Sequence, residues 1–422
     1  MTANLPPIEC AVDQMEVIVL DNGSGSMKYG FCGEDMPRGV QASVLANVKV
    51  ETKEEDGQLD TTSALKPREV MGDEALKYDS ETAELRYALD RGLLREDSID
   101  TLESFWEFAL SKLLQGESED LKVLLCDSPA VSTKGMQKQR EEMAKLMFEK
   151  FKVASLAIMN SAVLSLFSTG RSRGLVLEMG HGSTHAVPVF ESYSIPHGTF
   201  GMDVGGADVT DELTRVFQGC PQYGAYENAV SKIQADNAKK KNEEDKTFFS
   251  LNSTMSQLKE SLCHVAPMSL AHQLQQPDPA DEEHRSFELP DGTIIQLDQD
   301  VRYTPPETLF KGEESLQSIC KQAIETCDMD FRTDLVRSVV LAGGNAMLPG
   351  LAARVRLELS RILSPDLVRQ MEIVADPHRK YSAWIGGSMV ASFSTFQQLF
   401  ISKSEFEEQK ADLSSLVARK SW

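Results

Sequence analysis

The chain has 422 residues, 41% apolar and 26% charged, with only 17 prolines and 27 glycines. That is globular chemistry, not disordered or fibrous, and the length leaves room for two large lobes, each with its own core. Lys and Arg number 43 against 65 Asp and Glu, a net charge of −22, which argues against direct nucleic-acid or membrane-surface binding and leaves protein partners open.

Residues 1–15 read as a loose arm. The first 30 residues lack a basic segment followed by a long apolar core, and no apolar stretch long enough to span a bilayer is visible. The cysteines number seven, with no Cys-x-x-Cys, and the spacing of Cys320 and Cys327 fits no zinc site. Buried free thiols in a reducing compartment are the expectation.

The run Val17-Ile18-Val19-Leu20 stops at Asp21-Asn22-Gly23-Ser24-Gly25-Ser26 and resumes at Met27–Phe31, which predicts strand, Gly-rich turn, strand. Residues 49–68 are polar and acidic and read as a solvated loop. Helical periodicity follows over 98–114 and 132–151, with a buried strand at Leu121–Cys126 between them. A second hairpin then appears: Leu175-Val176-Leu177 runs into Glu178-Met179-Gly180-His181-Gly182-Ser183, and Ala186–Phe190 returns. The turns D-N-G-S-G-S and E-M-G-H-G-S occur once in each half, as a duplicated α/β lobe would produce. Residues 218–250, with Lys239-Lys240-Lys241 followed by Glu243-Glu244-Asp245, read as an exposed insertion, and 273–285 as a loop. Ser286–Leu297 is a hairpin around Pro290-Asp291-Gly292. Val339–Ala342 is a strand feeding Gly343-Gly344, and Pro349 opens a helix as its first residue. Strands alternating with helices make the chain α/β.

A Gly-rich turn between strands exposes backbone N–H groups to phosphate oxygens. Two such turns facing each other would clamp a polyphosphate. Lys28 supplies a cation, Asp21 a carboxylate for a hydrated Mg²⁺, and Gly343-Gly344 room for a purine ring. Rival motifs fail on context. There is no Gly-Lys-Ser/Thr P-loop and no His-Glu-x-x-His. Gly170–Gly174 matches G-x-S-x-G but is preceded by a helical run and followed by a strand, the wrong order for a hydrolase.

Over nearly its whole length the chain resembles actin and the actin-related proteins. The resemblance lies in DNGSGSMKYGFCGEDMPR (21–38), MGDEAL (71–76), AVLSLFSTGRSRG (162–174), GSTHAVPVFESYSIPH (182–197), SLCHVA (261–266), FELPDG (287–292), LAGGNAMLPG (341–350) and, most specifically, residues 379–408. It implies two lobes, each a five-stranded sheet with flanking helices, around a cleft for ATP or ADP with Mg²⁺ or Ca²⁺. The implied large outer lobe is 1–42, 88–168 and 382–422, with a small outer lobe at 43–87. The large inner lobe is 169–204 and 323–381, and the small inner lobe 205–322. Asp21 and Glu178 would face the metal. Gly23, Ser24, Gly25 and Lys28 would make the first phosphate contacts, and Gly180 and Gly182 the second. Gly206 would lie near the ribose, Lys259 and Glu260 near adenine and ribose, and Gly343, Gly344, Met347 and Lys380 around the purine.

Three departures bear on activity. Ser161 stands where the family has a water-positioning glutamine, and is too short to place that water. Glu178 and His181 replace an acidic pair, while His185 is retained. Slow or absent hydrolysis is expected, with no catalytic residue assigned. The loop that grips the next subunit in actin is replaced by acidic 49–68, and the apolar plug between Phe310 and Asp330 is shortened to polar Lys311-Gly312-Glu313-Glu314. Each change blunts a filament contact. Phe167, Gly170, Ile385, Met389, Val390, Phe393 and Leu399 keep the apolar character of the cleft that takes amphipathic helices in actin.

The resulting expectation is a nucleotide-stabilised subunit of a larger assembly, docked to other protein subunits, actin or actin-related proteins among them, through that cleft and the insertions. The expected setting is cytoplasmic, cytoskeletal or ciliary, with nuclear chromatin-remodelling complexes second. A filament-forming ATPase is the alternative.

Overall fold

The computed structural model describes residues 17–48, 68–78, 83–95, 97–114, 120–129, 133–239, 250–268, 270 and 286–421. Two sheets organise them. The first uses β1 (Val17–Asn22), β2 (Ser26–Phe31), β3 (Gly39–Ala42), β4 (Lys122–Asp127) and β5 (Ser155–Asn160). The second uses β6 (Gly174–Met179), β7 (Thr184–Phe190), β8 (Tyr193–Ser194), β9 (Phe200–Met202), β10 (Val339–Ala342) and β11 (Ile373–Val374). A last strand, β12 (Ile401–Ser402), returns to the first sheet, giving the order β12-β5-β4-β1-β2-β3. The second runs β8-β7-β6-β10-β11, with β9 on β7. Each sheet thus carries six strands, because short edge strands such as β12 and β8 extend the expected five.

The two sheets repeat one design. In each, an antiparallel hairpin lies beside a parallel strand: β1–β2 beside β4, and β6–β7 beside β10. The register puts Asp21 opposite Lys28 in the first hairpin and Glu178 opposite His185 in the second. The apolar runs before the turns are buried on both faces, as strands covered by helices on both sides must be. A separate three-stranded sheet has Leu45–Val48 between Arg68–Met71 and Ala83–Arg86.

The helices that matter here are α1 (Ile99–Leu113), α2 (Thr133–Lys145), α3 (Ser161–Phe167), α4 (Gly206–Gln218), α5 (Tyr223–Lys239), α6 (Leu251–Leu262) and α7 (Ser382–Ser392). Helix α3 joins the two cores. Its Leu164 packs with Val19, Leu124 and Trp384 of the first core, whereas Ala162, Val163 and Leu166 pack with Val176, Val187 and Val340 of the second. Asn160 caps it, its side chain accepting from the amides of Ala162 and Val163. That cap fixes the position of Ser161, the first residue of the helix.

Helix α7 lies against α3 so closely that a Cβ on Gly386 would come within 1.8 Å of the Leu164 carbonyl oxygen. At Gly387 a Cβ would meet only the ends of side chains, Val19 at 3.0 Å and Leu124 at 3.3 Å.

Two sequence readings are revised. The described part of 218–250 is not simply exposed: α5 is a packed helix whose Tyr226 and Ala229 join Leu175 and Leu177 in the core on the other face of the second sheet. Pro349 does not open its helix, which runs Leu351–Ile362 with a left-handed Gly350 before it. The Pro349 carbonyl instead accepts from the Val265 amide. The hairpin after Ser286 forms as expected, Ser286–Glu288 pairing with Ile294–Gln296. The proposed loops at 49–68 and 273–285 lie almost wholly outside the described residues.

The α3–α7 contact yields an expected outcome. Gly386→Ala forces backbone apart and should lower unfolding free energy by about 3 kcal/mol or more, while Gly387→Ala should cost about 1 kcal/mol or less. Chemical denaturation of the two variants checks the order; equal losses would contradict the packing.

Candidate functional site

The two Gly-rich turns meet across a cavity of about 830 Å³ between the sheets. From the first turn Asp21, Gly23, Ser24, Gly25 and Lys28 line it, and from the second Glu178, Gly180, His181, Gly182 and His185. Gly206 begins α4, Lys259 and Glu260 come from α6, and Gly343, Gly344, Met347 and Lys380 close the far end; Ser161 lies on the floor. Every nucleotide and metal residue singled out in the sequence, together with Ser161, His181 and His185, therefore lines one cavity.

Close approach of the turns depends on missing side chains. A Cβ on Gly25 would lie 2.6 Å from the His181 Cβ, and one on Gly182 would lie 2.9 Å from the Arg91 Cα. Arg91 and Gly92 were not singled out in the sequence, yet they tie the turns together. The Gly92 amide donates to Ser24 Oγ at 3.0 Å, and Arg91 donates to the Gly182 carbonyl at 3.2 Å. The Arg91 guanidinium also meets the Asp203 carbonyl and sits 3.5 Å from the Asp208 carboxylate. Arg91 holds φ at +50°, a left-handed conformation uncommon for a side chain of this size.

On the floor, Lys28 Nζ is 3.0 Å from Asp21 Oδ2, with only 12% of each side chain exposed. The Ser161 hydroxyl reaches both Glu178 carboxylate oxygens at 2.8 Å. Burial raises Glu178 to a pKa of about 7, the Asp21 charge adds to the rise, and the Ser161 hydroxyl opposes it. His185 is buried and pushed down to about 4 by desolvation, so it is neutral at pH 7. His181 keeps a face open to the cavity. Even so, the surrounding walls and, second, the Lys259 ammonium lower it to about 4.

At the far end, Lys259 Nζ donates to the Gly206 carbonyl at 2.7 Å and Thr210 Oγ1 at 2.9 Å, and burial lowers its pKa. Lys380 Nζ lies 3.7 Å from Glu260, joining the α6 wall to the Gly343–Met347 wall. Asn345, unremarked in the sequence, lines the cavity there.

The apolar cleft residues divide. Met389 and Phe393 are exposed, Phe167 stacks edge-on against Phe396, and Ile385 and Leu399 are half-buried. Gly170 is an exposed left-handed turn residue. Val390 is wholly buried in the core and faces no partner. Lys311–Glu314 are exposed and polar. Cys126, Cys220, Cys263, Cys320 and Cys327 are free thiols. Among the described residues no group of three or more His, Cys, Asp or Glu could enclose a metal, and no helix is long and apolar enough to cross a membrane.

Two sheets of one design clasping a Gly-lined cavity define a duplicated α/β protein. Residues 12–421 match the actin family model, and the chain belongs to the actin family. It is 30% identical to centractin of Saccharomyces cerevisiae over 401 residues, covering 93% of this chain and 94% of that protein. Members of the family bind nucleotide with a divalent metal and assemble with other protein subunits.

Glu178 gives a pH signature to the protein without ligand. A carboxyl raised from 4.5 to about 7 favours folding below pH 4.5, and loses that contribution as pH rises through 7. Glu178→Gln should therefore stabilise the protein at pH 8, by roughly 2 kcal/mol after allowance for water in the cleft, with little gain at pH 5. The depressed His185 acts oppositely, its contribution being present above pH 6.5 and lost as pH falls towards 4. Urea unfolding across pH 5–8 measures both, and a gain equal at pH 5 and pH 8 would contradict the assignment.

Proposed function

We propose that the protein is an ATP-binding structural subunit of a multi-protein assembly, with hydrolysis slow or absent and no conventional filament. The observation that carries this reading is the Ser161–Glu178 contact at 2.8 Å. The hydroxyl at the water-positioning site is turned back onto the floor carboxylate, and neutral His185 has no glutamine partner with which to orient a nucleophile.

The residues present fit a nucleotide. Gly23, Ser24, Gly25, Gly180 and Gly182 present backbone to its phosphates, and Lys28 a charge. Gly206, Lys259 and Glu260 would hold the ribose and base, with Gly343, Gly344, Met347 and Lys380 around the purine. Asp21 and Glu178 suit Mg²⁺ or Ca²⁺ bound largely through water, since Mg²⁺ needs only one or two carboxylates. The bound cation would supply charge neutralisation for the phosphates. A ligand bridging both halves stabilises only the folded state, by about 2.7 kcal/mol at a hundred times its dissociation constant.

Partners are other protein subunits, actin or actin-related proteins among them, docking against exposed Met389 and Phe393 with Phe167, Gly170, Ile385 and Leu399 around them. The proposed setting is cytoplasmic and cytoskeletal, which the likeness to centractin favours, or ciliary, with a nuclear chromatin-remodelling complex second.

Phosphate release from ATP in Mg²⁺ tests this. Release by the natural protein should stay near background, and Ser161→Gln should raise it by about tenfold or more by restoring a water-positioning amide. Steady release that the substitution leaves unchanged, with protein pelleting on addition of salt and Mg²⁺, would favour a filament ATPase instead.

A further inference from the structure

His181 stands at the tip of the second Gly-rich turn, where its main chain is fixed and its ring is not. Its carbonyl accepts from the Ala207 amide of α4 at 2.7 Å, and the Gly180 amide beside it donates to the Ser183 carbonyl at 2.9 Å. The side chain lies against the first turn: a Cβ on Gly25 would come within 2.6 Å of the His181 Cβ, 2.7 Å of its Cγ and 3.1 Å of its Nδ1. The ring is thus seated between the two backbone cradles, where it lines the cavity and remains exposed. Among the described residues neither ring nitrogen has a hydrogen-bond partner. The elements around it carry opposing charges. Lys259 on α6 disfavours a second cation, Asp208 on α4 favours one but sits 3.5 Å from Arg91, and the Gly25 turn touches the ring with bare backbone. Burial first, and Lys259 second, therefore keep the imidazole neutral in the protein without ligand, with a pKa of about 4.

We propose that His181 is a phosphate contact of the cleft that takes up a proton when a polyphosphate enters, so that the protein holds its ligand more tightly as pH falls. The inference rests on the reading of the cavity as a nucleotide site. Backbone amides of the two turns fix where a phosphate chain lies, and the ring sits between those turns with a nitrogen free to donate. The chain brings several negative charges into the cavity, and an opposite charge within about 4–6 Å favours the imidazolium. The proton comes from solvent, and the charged N–H···O contact that results is roughly twice as strong as a neutral one. The sign follows from linkage. A group that becomes more basic on binding strengthens binding at the lower pH, so affinity grows as pH falls from 8 towards 6.

Displacement of a fluorescent ATP analogue (N-methylanthraniloyl-ATP) by ATP in Mg²⁺, at pH 6 and pH 8, tests the assignment on the natural protein and on His181→Gln. Glu178 and the phosphates titrate in both proteins, so the ratio of variant to natural dissociation constants reads His181 alone. The amide keeps a neutral donor, so this ratio should be small at pH 8 and should grow at least about fivefold by pH 6. Inorganic tripolyphosphate, which has neither sugar nor base, should show the same growth, as a contact to phosphate requires. Thermal unfolding confirms that the variant is folded, and the shorter His181→Asn repeats the comparison if the glutamine disturbs the turns. A ratio equal at the two pH values would overturn the proposal. So would a growing ratio for ATP that tripolyphosphate lacks, which would move the contact off the phosphates. Failure of the folded natural protein to bind the analogue at all would instead overturn the nucleotide reading, and this inference with it.

Discussion

The structure depends on bringing two Gly-rich turns from separate sheets into contact, with the His181 side chain seated against the bare backbone of Gly25. At Gly25 and Gly182 a single added carbon would collide with His181 or with the Arg91 backbone. The turns do not rest on each other unaided. The Arg91–Gly92 turn lies behind both, bonded to Ser24 on one side and to Gly182 on the other. The gap between the sheets is thus set by protein contacts, and a ligand entering the cavity meets walls already in place. Preformed walls reduce the ordering cost of binding, which supports the proposal of a site that retains its ligand.

The floor follows from the same duplication. Each hairpin places one acidic residue at the end of its first strand, Asp21 in one half and Glu178 in the other, opposite Lys28 and His185. Asp21 is matched by a cation at 3.0 Å, while among the described residues Glu178 is hydrogen-bonded by the Ser161 hydroxyl. Burial drives Glu178 towards neutrality, and Lys28, already paired with Asp21, opposes this less strongly. Ser161 can reach Glu178 because α3 is wedged between the two cores, capped by Asn160 and pressed by α7 at Gly386. The chemistry of the floor is therefore coupled to the packing of the helix that joins the halves.

Most of the cavity was legible in the sequence because its components are local. A four-residue apolar run, a Gly-rich turn and a returning strand are each contiguous, and their repetition in the second half signals a duplicated fold. The resemblance to actin then ordered the remaining residues around one ligand. What escaped was not local. Arg91 and Gly92 sit between strands of two residues each, Leu89–Asp90 and Leu93–Leu94, too short to leave a period. Helix α5 was hidden because the lysine run beside it dominated the reading. Tyr226, Ala229 and Ile233 nevertheless keep helical spacing, a signal that was present. Val390 looked like a cleft residue because α7 is apolar on every side, so its sequence does not say which face is covered.

Lys311–Glu314 lies exposed at the surface, whereas Ser161, Glu178 and His181 lie inside a cavity that keeps its Gly-lined turns. Altered floor residues beside intact backbone cradles fit the proposal of a subunit that keeps its ligand. The nucleotide content of the purified native protein measures this directly: denature it, separate the supernatant by ion exchange, and count moles of each nucleotide per mole of chain. Close to one mole of ATP per mole is the expected result. Mostly ADP would show that Ser161 does not stall turnover, and an empty cleft would contradict the account at its root.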